Sequence, residues 1–251
     1  MKKTCATIGT LFVAGATFAG TVFAEDAAKP LPAMPDTCVE DIWDQGYCST
    51  TEAGALTGPI QVSIFLPMSK DLYPTTADVI KRYTDYDSWD DFVEASGSDA
   101  ISFTHTIAME DFVVTNDAGE STTYSRQYFD YTTPAPFPLP RQRVLGVGLT
   151  KEVPAYAGAD SSFEFETILT GEEVEVPADH QGLSDKPMGL KSQVGSLHVI
   201  SCTGEQEYCE EGEFFLIYNT TVQPNVELLP RVAAPYILRS IEAILIGMFL
   251  S

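Results

Sequence analysis

The sequence predicts an α+β fold in which a seven-stranded curved antiparallel sheet wraps around one long C-terminal helix. Residues 226–251 keep a helical period but lose every polar side after Glu242. Residues 100–222 alternate apolar and polar side chains over short stretches, which is typical of strands with one buried face. A helix that is apolar all round must be enclosed, and the strand-rich middle of the chain can enclose it.

The N-terminus has the features of an export signal. Lys2 and Lys3 precede an apolar stretch over residues 8–23, and Ala24 ends a small-x-small cleavage site. We expect residues 1–24 to be removed and the protein to act in the periplasm or outside the cell. Residues 25–58 then form a proline-rich lead-in and a short disulfide-closed extension, and residues 59–251 form the main domain.

The charge of the chain limits its partners. It carries 36 acidic and 14 basic side chains, a formal net charge of −22 that becomes −24 when Lys2 and Lys3 leave with the signal. Such a field repels the phosphates of nucleic acids and anionic lipid headgroups, and it favours a soluble monomer. We therefore expect no nucleic-acid partner.

Four cysteines remain after removal of the signal, and an even number in an exported protein predicts two disulfides. Three pairings are possible. We favour Cys38–Cys48 and Cys202–Cys209, because each closes a short loop and the second spans a hairpin-like turn. A zinc site is the alternative, but the sequence has no Cys-x-x-Cys spacing and only three histidines. We expect no metal and no other cofactor.

The elements follow in a clear order. Residues 60–66 alternate and stop before Pro67, which predicts the first strand. Thr75 starts a helix that runs to about Tyr83, and a second short helix spans residues 87–93. The remaining six strands are predicted at residues 101–109, 122–131, 144–153, 163–169, 194–202 and 213–222. The proline-rich stretch 133–141 and the acidic stretch 171–190 are predicted loops that gate the interior.

This order and two local patterns resemble the START-like helix-grip (SRPBCC) superfamily, here as an exported bacterial member. One pattern is Tyr86–Val93, similar to the aspartate–aromatic–tryptophan turn in the family's second helix; the other is Leu228–Arg231 before the terminal helix. The resemblance covers residues 59–250. The superfamily includes lipid-transfer START domains and polyketide cyclase-like proteins. It implies a hydrophobic cavity between sheet and helix, with sterols, phospholipids, quinones or polyketides as ligands.

A cavity for an apolar ligand needs apolar walls and a few placed polar groups. Without a bulge, His105 shares a face with Phe103, Ile107 and Met109, and its neutral ring could donate a hydrogen bond to a ligand. Arg126 shares a face with two tyrosines and could meet an anionic head. Each candidate also has a structural alternative. The apolar residues could simply pack in the core, His105 could form a core hydrogen bond, and Arg126 could form an exposed ion pair. The candidates are Phe103, His105, Ile107, Met109, Tyr124, Arg126, Tyr128, Phe163, Phe165, Tyr236, Ile237 and Ile244.

The sequence thus predicts a carrier or sensor that binds a hydrophobic small molecule or lipid. One alternative is a cyclase- or dehydratase-type enzyme with His105 as acid and Arg126 as electrophile, although no known catalytic motif is present and we assign no catalytic residue. A second alternative is a cell-envelope structural or interaction protein with a filled core. Residues 245–250 are expected under the sheet, with transient membrane contact as the alternative.

Overall fold

The computed structural model describes residues 28–54, 58–133, 142–169, 190–224 and 229–250. The predicted signal peptide lies outside the described residues, as do the two predicted gating loops apart from Thr133 and Leu190. The described elements are α1 (Cys38–Gln45), β1 (Cys48–Ala53), β2 (Ile60–Met68), α2 (Thr76–Tyr83), a 3₁₀ turn (Tyr86–Ser88), α3 (Trp89–Ala95), β3 (Ser102–Thr115), β4 (Ser121–Thr133), β5 (Gln142–Val153), β6 (Ser161–Leu169), β7 (Leu190–Ser201), β8 (Phe214–Pro224) and α4 (Pro230–Phe249).

All eight of these strands form one antiparallel sheet in the order β1-β2-β8-β7-β6-β5-β4-β3. The predicted antiparallel sheet and C-terminal helix are confirmed, with one strand more than the seven predicted. The extra strand, β1, comes from the disulfide-closed extension and places Cys48 opposite Phe65 of β2. Its threonines favour a strand. The sequence predicted only a disulfide-closed extension here, so this strand was missed.

The helix α4 lies against one face of the sheet, called here the helix-side face. Its last turns are buried, with Leu245, Met248 and Phe249 exposed by at most 2%. They share a core cluster with β2, β7 and β8, whereas Arg231 and Arg239 face solvent. By length and composition α4 could span a membrane, but half of its most apolar window is buried in the protein. The burial predicted for residues 245–250 is confirmed for Leu245, Met248 and Phe249, whereas Leu250 is 40% exposed.

The helices α2 and α3 hold the C-terminal end of α4. The Nε of Arg82 on α2 donates a hydrogen bond to the carbonyl of Met248 at 3.0 Å, and its guanidinium stacks 3.8 Å above the ring of Phe92. The Tyr73 hydroxyl donates to the same carbonyl at 3.1 Å. These donors satisfy a carbonyl that the end of the helix leaves without an intrahelical partner. At Gly247, α4 meets the backbone of Phe92 with no room for a side chain.

The opposite face of the sheet carries a second cluster built around both disulfides. The predicted pairs are confirmed, with Cα–Cα distances of 5.3 Å for Cys38–Cys48 and 6.1 Å for Cys202–Cys209. All four cysteines are buried beside apolar residues of β2, β7 and β8. The indole of Trp43 on α1 donates to the carbonyl of Glu207 at 2.9 Å, which joins one disulfide loop to the other. The lead-in is also attached, because Ala157 N–H donates to the carbonyl of Lys29.

Replacing both Cys38 and Cys48 with Ala is expected to lower the free energy of unfolding by about 3 kcal/mol. The disulfide closes a short loop, so its loss mainly increases the entropy of the unfolded chain. Urea unfolding followed by circular dichroism measures the change. An unchanged midpoint would contradict a stabilising role for this bond.

Candidate ligand cavity

A cavity of about 90 Å³ lies between α4 and the helix-side face of the sheet. It is large enough for water but smaller than an engineered apolar cavity of about 150 Å³ that binds benzene. Its wall is rich in aromatic side chains, which come from the short helices and from the strands. These are Tyr83, Tyr86, Trp89, Phe103, Phe129, Tyr131, Phe165 and Tyr218.

Glycines opposite aromatic rings make room on the helix-side face. On β4 and β5, Phe129 lies across from Gly146, and Gln127 lies across from Gly148. On β6 and β7, Phe165 lies across from Gly195, where an added Cβ would overlap both the Phe165 ring and the backbone oxygen of Asn219. Successive strand residues point to opposite faces, so residues two positions apart share a face. Gln127, Phe129 and Tyr131 of β4 therefore all line the cavity.

Hydrogen bonds anchor the 3₁₀ turn to the sheet at one side of the cavity. The Tyr86 hydroxyl donates to Thr150 Oγ1 at 3.0 Å, and the Thr106 hydroxyl donates to the Tyr86 carbonyl at 2.8 Å. Gln127 Nε2 donates in turn to Thr106 Oγ1 at 2.7 Å. Buried polar groups with partners rigidify a wall, so this side of the cavity is preorganised.

The wall is electrically neutral at physiological pH, apart from one exposed carboxylate. Burial raises the pKa of Tyr86 to about 12 and also raises the pKa values of Tyr83, Tyr131 and Tyr218. These phenols therefore keep their protons and can donate hydrogen bonds. Among the lining residues in the described ranges there is no Lys, Arg or His, and the one acid, Glu166, is exposed.

Four of the twelve residues predicted from the sequence line this cavity: Phe103, Phe165, Ile237 and Ile244. Their role in binding a ligand stays a prediction. Phe163 packs against the same core without lining the cavity, and Tyr236 is half-buried on α4. For His105, only the backbone is described.

The expectation that Ile107 and Met109 share a face with Phe103 is wrong. The pairing of β3 with β4 shifts after Phe103, so that one extra residue enters β3 as a bulge. A bulge reverses the inward and outward alternation that follows it. Phe103 consequently pairs with Tyr131 in the cavity wall, whereas Ile107 pairs with Tyr128 on the opposite face.

The predicted trio on β4 lies on the opposite face as well. Tyr124 and the fully buried Tyr128 belong to a cluster with Ile107, Met109 and Leu149. Arg126 Nε donates to the carbonyl of Glu110 at 2.6 Å, and its guanidinium lies 5.5 Å from the ring centre of Phe112. Arg126 is therefore held outside the cavity.

Sequence reasoning missed the alternate set on β4, namely Gln127, Phe129 and Tyr131. Both sets on this strand are aromatic, so periodicity alone could not choose between them. The signal that could have done so is the spacing of Gly146 and Gly148 on β5, since glycines leave room on the face where neighbouring rings project. Trp89 and Tyr86 were recognised as parts of a helix motif but not as wall residues.

A buried histidine lies outside the cavity. On β7, Nδ1 of His198 forms a hydrogen bond with Ser162 Oγ, and Nε2 forms one with Ser196 Oγ, both at 2.9 Å. The centre of the imidazole ring lies 4.3 Å from the ring centre of Tyr156. Burial lowers the pKa of His198 to about 4, although nearby Glu164 acts in the opposite direction. The imidazole is thus neutral in the folded protein at neutral pH.

His198 predicts a loss of stability on mild acidification. Its folded pKa lies below the unfolded value of about 6.5, so the unfolded chain takes up a proton first as the pH falls. The contribution of His198 to the free energy of unfolding is therefore fully present above pH 6.5 and decreases towards pH 4. At pH 5 the loss is about 2 kcal/mol. In urea unfolding between pH 7 and pH 5, we expect the unfolding free energy of His198→Gln to change less with pH than that of the wild type. Equal slopes for the two proteins would contradict a buried neutral imidazole.

Among solved structures, the chain is similar to human STARD10 and to major latex-like protein 151 of Panax ginseng. The first match has 10% identity and a TM-score of 0.42, covering 90% of this chain and 82% of that one. The second has 12% identity and a TM-score of 0.30, covering 75% and 95%. No protein-family model and no curated protein matches the sequence. The expected helix-grip fold is confirmed by the sheet order and the enclosed α4, and similarities this distant say nothing about a ligand.

Proposed function

We propose that the protein binds a hydrophobic small molecule between α4 and the sheet, as a carrier or sensor outside the cytoplasm. The observation that carries the proposal is an unfilled cavity whose wall holds eight aromatic side chains. Binding gains about 25 cal/mol for each Å² of apolar surface removed from water.

The location outside the cytoplasm is supported by the signal-like N-terminus and by two disulfides. Disulfides persist in oxidising compartments, and both of these lie in one buried cluster. The high negative charge favours a monomer that moves freely and does not adhere to anionic membranes. If the protein meets a membrane to exchange its ligand, we propose that the contact is transient.

Neither alternative function gains support from the geometry. The enzyme alternative used Arg126, which lies on the face of the sheet away from the cavity. The structural alternative required a core filled by the protein's own side chains, whereas space remains beneath α4. Binding without chemistry is the simpler use of a neutral aromatic wall.

Nuclear magnetic resonance of the two tryptophans tests the proposal directly. The chain has two tryptophans: Trp89 in the cavity wall, whose indole donates to the Tyr83 carbonyl at 3.0 Å, and Trp43 on α1. Titration with ethylbenzene, an uncharged apolar probe, is expected to shift the Trp89 indole resonance and leave that of Trp43 in place. Trp43 is thus an internal control.

A parallel experiment looks for the natural ligand. Solvent extraction and native mass spectrometry of the purified protein are expected to reveal a co-purifying apolar compound or, after its removal, binding of added probes. If nothing co-purifies and neither ethylbenzene nor fluorescent lipid and sterol probes bind, the protein is not a carrier of hydrophobic molecules.

A further inference from the structure

We infer that the cavity selects compact, uncharged ligands that carry a hydrogen-bond-accepting oxygen, and that it rejects ionised acids. The inference depends on the proposed function, because it concerns the same cavity. It names the chemical class of the ligand, which the apolar wall alone does not decide.

The acceptor oxygen follows from two tyrosine hydroxyls. Tyr83 is 5% exposed, and both it and Tyr131 line the cavity. Within the described ranges, neither hydroxyl makes a hydrogen bond, whereas Tyr86 donates to Thr150 and the Tyr218 oxygen accepts from Gln193 Nε2 at 3.3 Å. A hydroxyl of a cavity-lining tyrosine that has no protein acceptor can donate to a ligand oxygen, and that hydrogen bond adds affinity.

These phenols lie close enough to serve one ligand. Burial is the main cause of the raised pKa values of Tyr83 and Tyr218, and neighbouring phenols add to it: Tyr218 acts on Tyr83, and Tyr131 acts on Tyr218. All three of these tyrosines line the same cavity. A carbonyl or hydroxyl oxygen of a ligand in that cavity can therefore accept a hydrogen bond from one of the hydroxyls that has no protein partner.

The exclusion of anions follows from the charges around the cavity. No cationic side chain lines it within the described part of the chain, and the exposed Glu166 at its wall repels negative charge. A carboxylate entering this space would lose its water without gaining an opposite charge, which is strongly unfavourable. The overall net charge of the chain acts in the same direction.

The preference for compact ligands follows from the volume. The cavity of about 90 Å³ is far smaller than the roughly 300–1,000 Å³ of pockets that enclose drug-sized ligands. Its many aromatic rings suit a flat ring, because rings pack favourably edge to face or in offset stacks. A small aromatic ketone or alcohol is much closer to this volume than a sterol or phospholipid is.

Three probes with eight carbons each separate these properties: ethylbenzene, acetophenone and phenylacetate. At pH 7 we expect acetophenone to bind about three- to tenfold tighter than ethylbenzene because of one added hydrogen bond. We expect phenylacetate to bind at least about 100-fold more weakly than acetophenone. Dodecanol, a long-chain neutral alcohol, is expected to bind more weakly than acetophenone. The Trp89 indole resonance reports each titration.

Two variants test the hydroxyls, and a third is the control. Tyr83→Phe and Tyr131→Phe are expected to remove most of the preference for acetophenone over ethylbenzene, measured as the ratio of the two affinities in each variant. Tyr124→Phe changes a tyrosine on the opposite face and should retain the full preference. Circular dichroism shows that each variant is folded.

The outcomes separate the inference from the proposed function. Equal binding of phenylacetate and acetophenone would overturn the exclusion of anions, and an unchanged preference in both Phe variants would overturn the role of the hydroxyls. Dodecanol binding as tightly as acetophenone would overturn the size limit. In each of these cases the protein still binds hydrophobic molecules, whereas failure of every probe, ethylbenzene included, would remove the proposed function itself.

Discussion

Gly247→Ala is expected to lower the free energy of unfolding by about 3 kcal/mol, at the upper end of the effects of overpacking. The added methyl group would overlap the backbone carbonyl of Phe92, and neither helix can move away easily. Arg82 and Tyr73 both bond to the Met248 carbonyl in the next residue along α4. Urea unfolding followed by circular dichroism measures the change.

Gly148→Ala is the matched control for this substitution. The same methyl group at Gly148 would meet Gln127 Oε1 at 3.7 Å and Phe129 Cε1 at 3.8 Å, which are ordinary contacts. Its unfolding free energy should stay within about 1 kcal/mol of the wild type. If both variants were equally stable, the close crossing of α4 and α3 would be wrong.

Gly148→Leu is expected to abolish ligand binding, with an affinity for ethylbenzene at least about 100-fold lower. Gly148 lines the cavity, and a Cβ added there would meet its neighbours only at ordinary contact distances. A leucine side chain would therefore occupy the volume that the ligand needs, while its apolar surface is buried favourably. The Trp89 indole resonance follows the titration.

The control for this variant is Val113→Leu, near the tip of the β3–β4 hairpin. Val113 is 58% exposed and its enlargement leaves the cavity unchanged, so ethylbenzene should bind as in the wild type. Undiminished binding to a folded Gly148→Leu protein would mean that the ligand, if any, binds elsewhere.

The sequence predicted the parts of the fold that depend on one strong local pattern. The loss of polar residues after Glu242 required an enclosed helix, and Leu245, Met248 and Phe249 are indeed buried. Thr75 forms the capping box with Asp78 that starts α2. The short loops between cysteines predicted both disulfides, because chain closure over few residues favours local pairing.

The cavity wall was harder to predict, because the face to which a strand residue points depends on the register of the whole strand. One bulge after Phe103 moved Ile107 and Met109 to the opposite face, and no local residue pattern announces that bulge. The choice between Tyr128 and Phe129 as wall residues likewise depended on glycines in the neighbouring strand. Pairing between strands, unlike helical periodicity, is not encoded within one segment.

Ligand binding depends on an apolar cavity that lies unfilled between α4 and the sheet. Crystals of the protein pressurised with xenon test it most directly, because xenon enters empty apolar cavities and scatters strongly. We predict a xenon peak bounded by Phe129, Phe165 and Ile241. Crystals that show no xenon there, and protein side chains filling that space, would mean that the protein has no such cavity.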